Sequence, residues 1–238
     1  MDVAKPSIAD VFAEYLAERQ QKLAKSTFQK YQGIIETFEG CLDGYAYQAL
    51  DPAEEELWRS RWEVDEEAGS FCRTFGPDKI LGEIGGFLDW YVIRKVLGPQ
   101  WIAERAGPVM RDFVGWLVEK GYVPAEDAED AIDIATDAGR NLPRADKLTS
   151  LLYDLTEAPV RGKAIEDLDI VGDMVSISKV EPGMLWFRGP DGEEIGPLKV
   201  PPAASKVASV GWEVSATHFL RTGKGWHLVE IGNVYPMG

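Results

Sequence analysis

Near Pro159 the hydrophobic residues of this chain change their period, and that switch limits its possible folds more than any other feature. Before it, apolar residues recur at i, i+3, i+4 and i+7; after Val171 they largely alternate. Helical and strand periods held in separate blocks, not interleaved, predict an α+β chain of two domains. The switch places an all-α domain over residues 1–158 and a small all-β domain over 160–238.

In the first block Ser7 is positioned as an N-cap, with Asp10 at the capping-box position. Ile8, Val11, Phe12, Tyr15 and Leu16 follow as one buried stripe. A second helix, capped by Ser26 or Thr27, carries Phe28, Tyr31, Ile34, Ile35 and Phe38. It is expected to stop near Gly40, which closes an αα-hairpin. Pro52 opens a short helix through Trp58 and Trp62, and Pro77 opens a long one with Ile80, Ile84, Phe87, Leu88 and Val92 on its apolar side. Gly98-Pro99 ends it. The next helix runs from about Pro99 to Lys120, with a bend expected at Gly107-Pro108 and Gly121 as the C′ residue. A last, acidic helical stretch over 125–158 carries Ala128, Ala131, Ala135 and Ala138, then Leu148, Leu151, Leu152 and Leu155.

The second block predicts strands over 171–180, 184–188 and 195–200, then a long hairpin pairing 210–220 with 226–231. About five strands joined by tight turns imply a small closed barrel of SH3-like type, with an OB-like barrel as the alternative. No apolar run approaches the roughly 20 residues that cross a bilayer, and the N-terminus has no apolar signal core. A cytoplasmic chain without a membrane partner is therefore expected. Cys41 and Cys72 lack C-x-x-C spacing and read as reduced, buried thiols.

Net charge is −15. Residues 51–70 and 125–160 each carry −6, whereas 71–124 carry +1, so the acid is concentrated in two blocks. A duplex binder usually shows a basic face, because phosphate neutralisation supplies most of its affinity. The chain taken whole is repelled by DNA.

Two motifs point the other way. Ser26, Thr27 and Tyr31 stand at the turn into the second helix, and Phe113, Trp116, Leu117, Gly121 and Tyr122 close the second helix pair. In this order they resemble the core-binding (SAM-like) helical domain of tyrosine recombinases and phage integrases, over roughly residues 7–42 and 78–124. The segment between, near 43–78, departs from the family pattern as an insertion. The resemblance implies a DNA clamp in which the start of the second helix touches phosphates, and so nominates Lys25, Ser26, Thr27 and Lys30. Arg105 and Arg111 are further candidates. The bland alternative is that Ser26 and Thr27 cap a helix while the lysines are merely solvated.

The catalytic half of a recombinase is missing. His218 and Arg221 match H-x-x-R and Tyr235 follows, but the segment has strand character and the gap is short. His218 and His227 complete no metal-ligand set, the acidic runs lack calcium-loop spacing, and Gly82, Gly85 and Gly86 follow no strand. No enzyme, cofactor or metal is expected. Trp58, Trp62, Trp90, Trp101 and Trp116 fall on helices and read as core. Trp186, Trp212 and Trp226 fall on strands, where they either fill the barrel or form an exposed protein-binding surface. The sequence thus predicts a non-catalytic, nucleic-acid-associated protein; the alternative is an acidic interaction scaffold that has lost DNA binding, a DNA-mimicking surface being a special case.

Overall fold

A computed structural model describes residues 4–96, 99–156, 174–215, 217–223 and 225–236. The chain is α+β and divides into two compact units, Met1–Val92 with Leu97–Gly139, and Ile93–Val96 with Arg140–Gly238. The boundary falls inside a helix instead of near Pro159, because Ala145, Leu148 and Leu152 are buried in the core of the sheet. Pro159 and the expected strand start at Val171 lie outside the described residues, as does Gly98.

The helical unit opens with α1 (Ile8–Lys22), capped by Ser7 in the expected box with Asp10. Helix α2 (Lys25–Tyr45) begins earlier than expected: Ala24 is its N-cap, with no side-chain cap, so Ser26 and Thr27 lie in its first turn. It also continues through Gly40, since Cys41 and Leu42 extend the buried stripe of Ile34, Ile35 and Phe38. After α3 (Pro52–Trp62) and α4 (Phe71–Thr74), the helix expected from Pro77 is present as a continuous run of helical turns to Arg94, but of mixed pitch. These are Pro77–Lys79, Leu81–Glu83, α5 (Ile84–Gly86), a π-turn over Phe87–Tyr91, and α6 (Val92–Arg94). Gly82, Gly85 and Gly86 fall where the pitch changes, and each weakens α-helix by about 1 kcal/mol relative to Ala.

Helix α7 (Trp101–Glu119) and helix α8 (Glu129–Thr156) run unbroken through Pro108 and Pro143. At Pro108 tertiary packing overrides the lost hydrogen bond, for Gly107 and Pro108 lie directly on Gly139 of α8. Gly121 takes φ +72 after α7, as a C′ residue should. An aromatic cluster forms the core between α1, α2 and α7. Phe12 meets Phe38 and Phe113 at 5.9 and 5.4 Å, and Tyr15 meets Phe113 and Trp116 at 4.9 and 5.3 Å. Of the helical tryptophans only Trp116 is fully buried; Trp58, Trp62, Trp90 and Trp101 are half-buried.

The second unit is a seven-stranded mixed sheet, not a five-stranded barrel. Its strands are β1 (Met174–Glu181), β2 (Met184–Arg188), β3 (Glu194–Lys199), β4 (Glu213–Ser215), β5 (His218–Thr222), β6 (Gly225–Glu230) and β7 (Val234–Tyr235). Helix α9 (Pro202–Val207) interrupts them. The order is β5-β6-β3-β2-β1-β4-β7. The expected strand 210–220 is therefore two strands, β5 at one end of the order and β4 next to the other end. The short link from Ser215 to His218 reaches only about 10 Å, so the sheet must curl until its ends approach. No ladder among the described residues closes it. Strands with one buried face alternate whether or not their sheet closes, so the sequence pattern does not distinguish this sheet from a barrel.

Candidate nucleic-acid interface

The aromatic-Trp-Leu motif of α7 is first a clamp on α1. Phe113, Trp116 and Leu117 are buried, and polar groups lock their rim. Asp112 Oδ2 accepts from Tyr15 Oη and from Arg19 Nε, each at 2.7 Å. Lys120 bridges Glu14, at 2.9 Å, and Glu18, while Tyr122 donates to Glu14. Trp116 Nε1 donates to Glu18 at 3.3 Å. Lys120, by its hydrogen bond, holds the Glu18 carboxyl down at about 2.

That depression fixes the sign of a pH effect. A carboxylate held below its ordinary range contributes stability above its unfolded value, and loses it as pH falls from about 4.5 towards 2. Lys120→Met removes the donor. Its urea midpoint should accordingly fall less steeply than the parent's between about pH 6 and pH 3. Parallel pH profiles for the two proteins would refute the assignment.

Clamping consumes cations. In the helical unit Arg19, Lys22, Arg59, Arg73, Lys79 and Lys120 each face a carboxylate, and Arg61 donates to Thr74 and to the carbonyl of Ala68. Lys25, Lys30, Arg105 and Arg111 make no hydrogen bond or ion pair with described residues, and Lys5, the other such cation, lies near Asp10. Lys25, Arg105 and Arg111 are exposed and Lys30 is half-exposed.

Tyr31 joins part of this set. Burial pushes its phenol up, Asp112 pushes it further, and Arg19, Arg105 and Arg111 pull the other way, so all four charges reach it from α1 and α7. Gly33 packs on Trp101 at the start of α7, with 3.0 Å between the indole and the place of a Cβ. Lys25 projects from another flank of α2 than Lys30, since five residues turn a helix by about 140°. Ser26 is exposed in the first turn of α2, whose N-terminus has no side-chain cap. Arg105 and Arg111 of α7 thus act on Tyr31, which Lys30 precedes in the chain; Ser26 and Lys25 are exposed at the start of α2 and Thr27 is half-buried. A protonated phenol among cations can donate to an anion and is a poor nucleophile. Tyr31 did not stand out in the sequence as a site candidate because its i, i+3, i+4 position reads as core.

The strand tryptophans separate. Trp212 is 2 % exposed, under the Arg144 guanidinium at 4.8 Å, so it is core and leaves the exposed protein-binding set. Trp186 and Trp226 remain half-exposed, with Lys179 4.5 Å and Arg221 5.7 Å from their ring centres. His218 and Arg221 sit three apart on β5, hence on opposite faces, and His218 Nδ1 lies 2.8 Å from Glu230.

Glu39, Asp43 and Cys72 bring possible metal-ligand atoms within 4.8 Å of one another, a cluster invisible in the sequence because Cys72 comes from a distant segment. Its chemistry is poor for a metal: burial pushes the Cys72 thiol and the Glu39 carboxyl up, and Asp43 accepts the Cys72 amide at 2.8 Å. Both cysteines are buried and free, with Cys41 pushed up to about 12 by burial. No described helix is long and apolar enough to cross a membrane. No protein-family model matches the chain, and no curated protein matches it significantly.

Proposed function

We propose that this is a non-catalytic, nucleic-acid-associated protein whose helical unit contacts duplex phosphates. Lys30, Arg105 and Arg111 carry the contact, Tyr31 donates a hydrogen bond, and Lys25, Ser26 and Thr27 approach from the start of α2. One observation carries the reading. In a chain of net charge −15, Lys25, Lys30, Arg105 and Arg111 are cations of the helical unit that make no ion pair with described residues, while Arg19, Lys22, Arg59, Arg73, Lys79 and Lys120 each face a carboxylate. Unpaired guanidinium groups acting on one phenol, and unpaired ammonium groups on the helix that carries it, are what phosphate recognition needs. The sequence motifs that resemble the recombinase core-binding domain, which nominated these residues, point the same way.

Fluorescence anisotropy with a labelled duplex at low salt tests it. The parent should bind with a Kd of about 1–100 µM, weakening steeply as salt rises. Lys30→Glu/Arg111→Glu should lose at least about tenfold in affinity and lower the salt slope by roughly 2. A parent that shows no binding at about 100 µM sinks the proposal.

The acidic-scaffold reading has its own observation. Tyr47 and Trp58 stack at 4.8 Å and 3°, Trp62 lies 5.7 Å beyond, and Val64 is 86 % exposed, all within the acidic insertion. A chain silent towards DNA would shift the function to that surface.

A further inference from the structure

The β unit contains a cleft of about 530 Å³ between β3 and β6. It originates in an interrupted ladder. The two strands run parallel but pair at a single register position, Leu198 with Trp226. Pro197 has no N–H to offer a neighbouring strand. Gly196 stands at φ +141, where a Cβ would come within 2.8 Å of the Trp186 ring, so no other residue fits there without strain. The strands meet once and the space beside that meeting is left open.

Its lining has one sign of charge. Lys199 and Arg221 face it beside Trp226 and His227, and none of the described residues that line it is a carboxylate. Elsewhere on the sheet Lys179 and Arg188 are each paired with a glutamate at 2.7 Å. Lys199 is exposed and makes no ion pair with a described residue. Arg221 lies 5.7 Å from the Trp226 ring centre, so guanidinium and indole sit side by side. In a protein this acidic, a cleft walled by cations attracts an anion. Lys and Arg together match a phosphate, and the volume is that of a small-molecule pocket, with room for more than a bare ion. Trp226, Leu155 and Leu228 supply apolar surface for the rest of the ligand.

We propose that this cleft binds a small phosphorylated ligand the size of a nucleoside monophosphate. Lys199 and Arg221 hold the phosphate, and a planar ring lies against Trp226. The site is separate from the duplex-contact set and does not depend on it.

Isothermal titration of the full chain with AMP, adenosine and inorganic phosphate tests this. AMP should bind with a Kd of about 10–500 µM, and adenosine and phosphate each at least about tenfold more weakly. Lys199→Gln, an exposed change that circular dichroism should show to be folded, should weaken AMP about tenfold. Lys206→Gln, an exposed lysine of α9 outside the cleft, and Lys30→Glu/Arg111→Glu should both leave AMP binding unchanged. The proposal is overturned by absence of AMP heat up to about 5 mM, by equal losses in Lys199→Gln and Lys206→Gln, or by phosphate binding as tightly as AMP.

Discussion

Gly107→Ala should destabilise the protein by about 3 kcal/mol or more, while Gly115→Ala on the same helix should stabilise it by about 0.5–1 kcal/mol. Both glycines lie inside α7, where alanine is normally the better helix former. Their surroundings reverse the sign. A Cβ on Gly107 would fall 2.2 Å from the amide nitrogen of Gly139 and 2.6 Å from the carbonyl oxygen of Ala135. Those are backbone atoms of α8, which no rotamer change can move aside. Relief requires the helices to separate, which loosens the packing of buried Ala106 and Val109 around the crossing. A Cβ on Gly115 meets nothing within 4 Å. Urea melts of the two variants decide it; a Gly107→Ala protein as stable as the parent would mean that the helices do not cross so closely.

Asp112→Ala should cost about 2–4 kcal/mol, well above an ordinary surface substitution. Its carboxylate receives the Tyr15 hydroxyl and the Arg19 guanidinium together. The Arg19 side chain is only 13 % exposed, and burial with the Asp112 hydrogen bond raises the Tyr15 phenol above its ordinary value, so it stays protonated. Removing the acceptor leaves a charge and a hydroxyl desolvated without partners. Asp112→Asn keeps an oxygen in place and should lose about half as much. The same variant separates structure from function. Asp112 is the acid that bears on Tyr31 among three arginines, so neutralising it makes that face more positive. Duplex affinity should rise a few-fold in Asp112→Asn even as stability falls. A parallel fall in both would assign Asp112 to folding alone and weaken the case that this face meets phosphate.

The net charge and the local pairing pull in opposite directions, and the pairing decides what a partner meets. Acids placed in caps and bridges, such as Asp10, Asp51 and Glu54, are occupied by their own helix ends or by Lys79. What remains available differs from the average of the chain. A few unpaired cations can thus form a local phosphate contact on an acidic protein, at the price of strong salt dependence.

Local chemistry was legible from the residues themselves. Ser7 with Asp10 dictates where α1 begins, Gly121 dictates how α7 ends, and the switch of period separates helices from strands, because each depends on interactions within a few residues. Lys25, Lys30, Arg105 and Arg111 could be named as cations, but which of them lack partners depends on acids distant in the chain, such as Asp112 beside Arg19 and Glu14 beside Lys120. Trp212 and Trp226 look alike in a strand pattern; only packing buries the first and leaves the second at a cleft. The order of the seven strands, the single β3–β6 register pair and the Gly107–Gly139 contact were likewise decided by tertiary structure. Sequence period reports which side of an element is apolar. Which distant element covers that side is settled only when the chain packs.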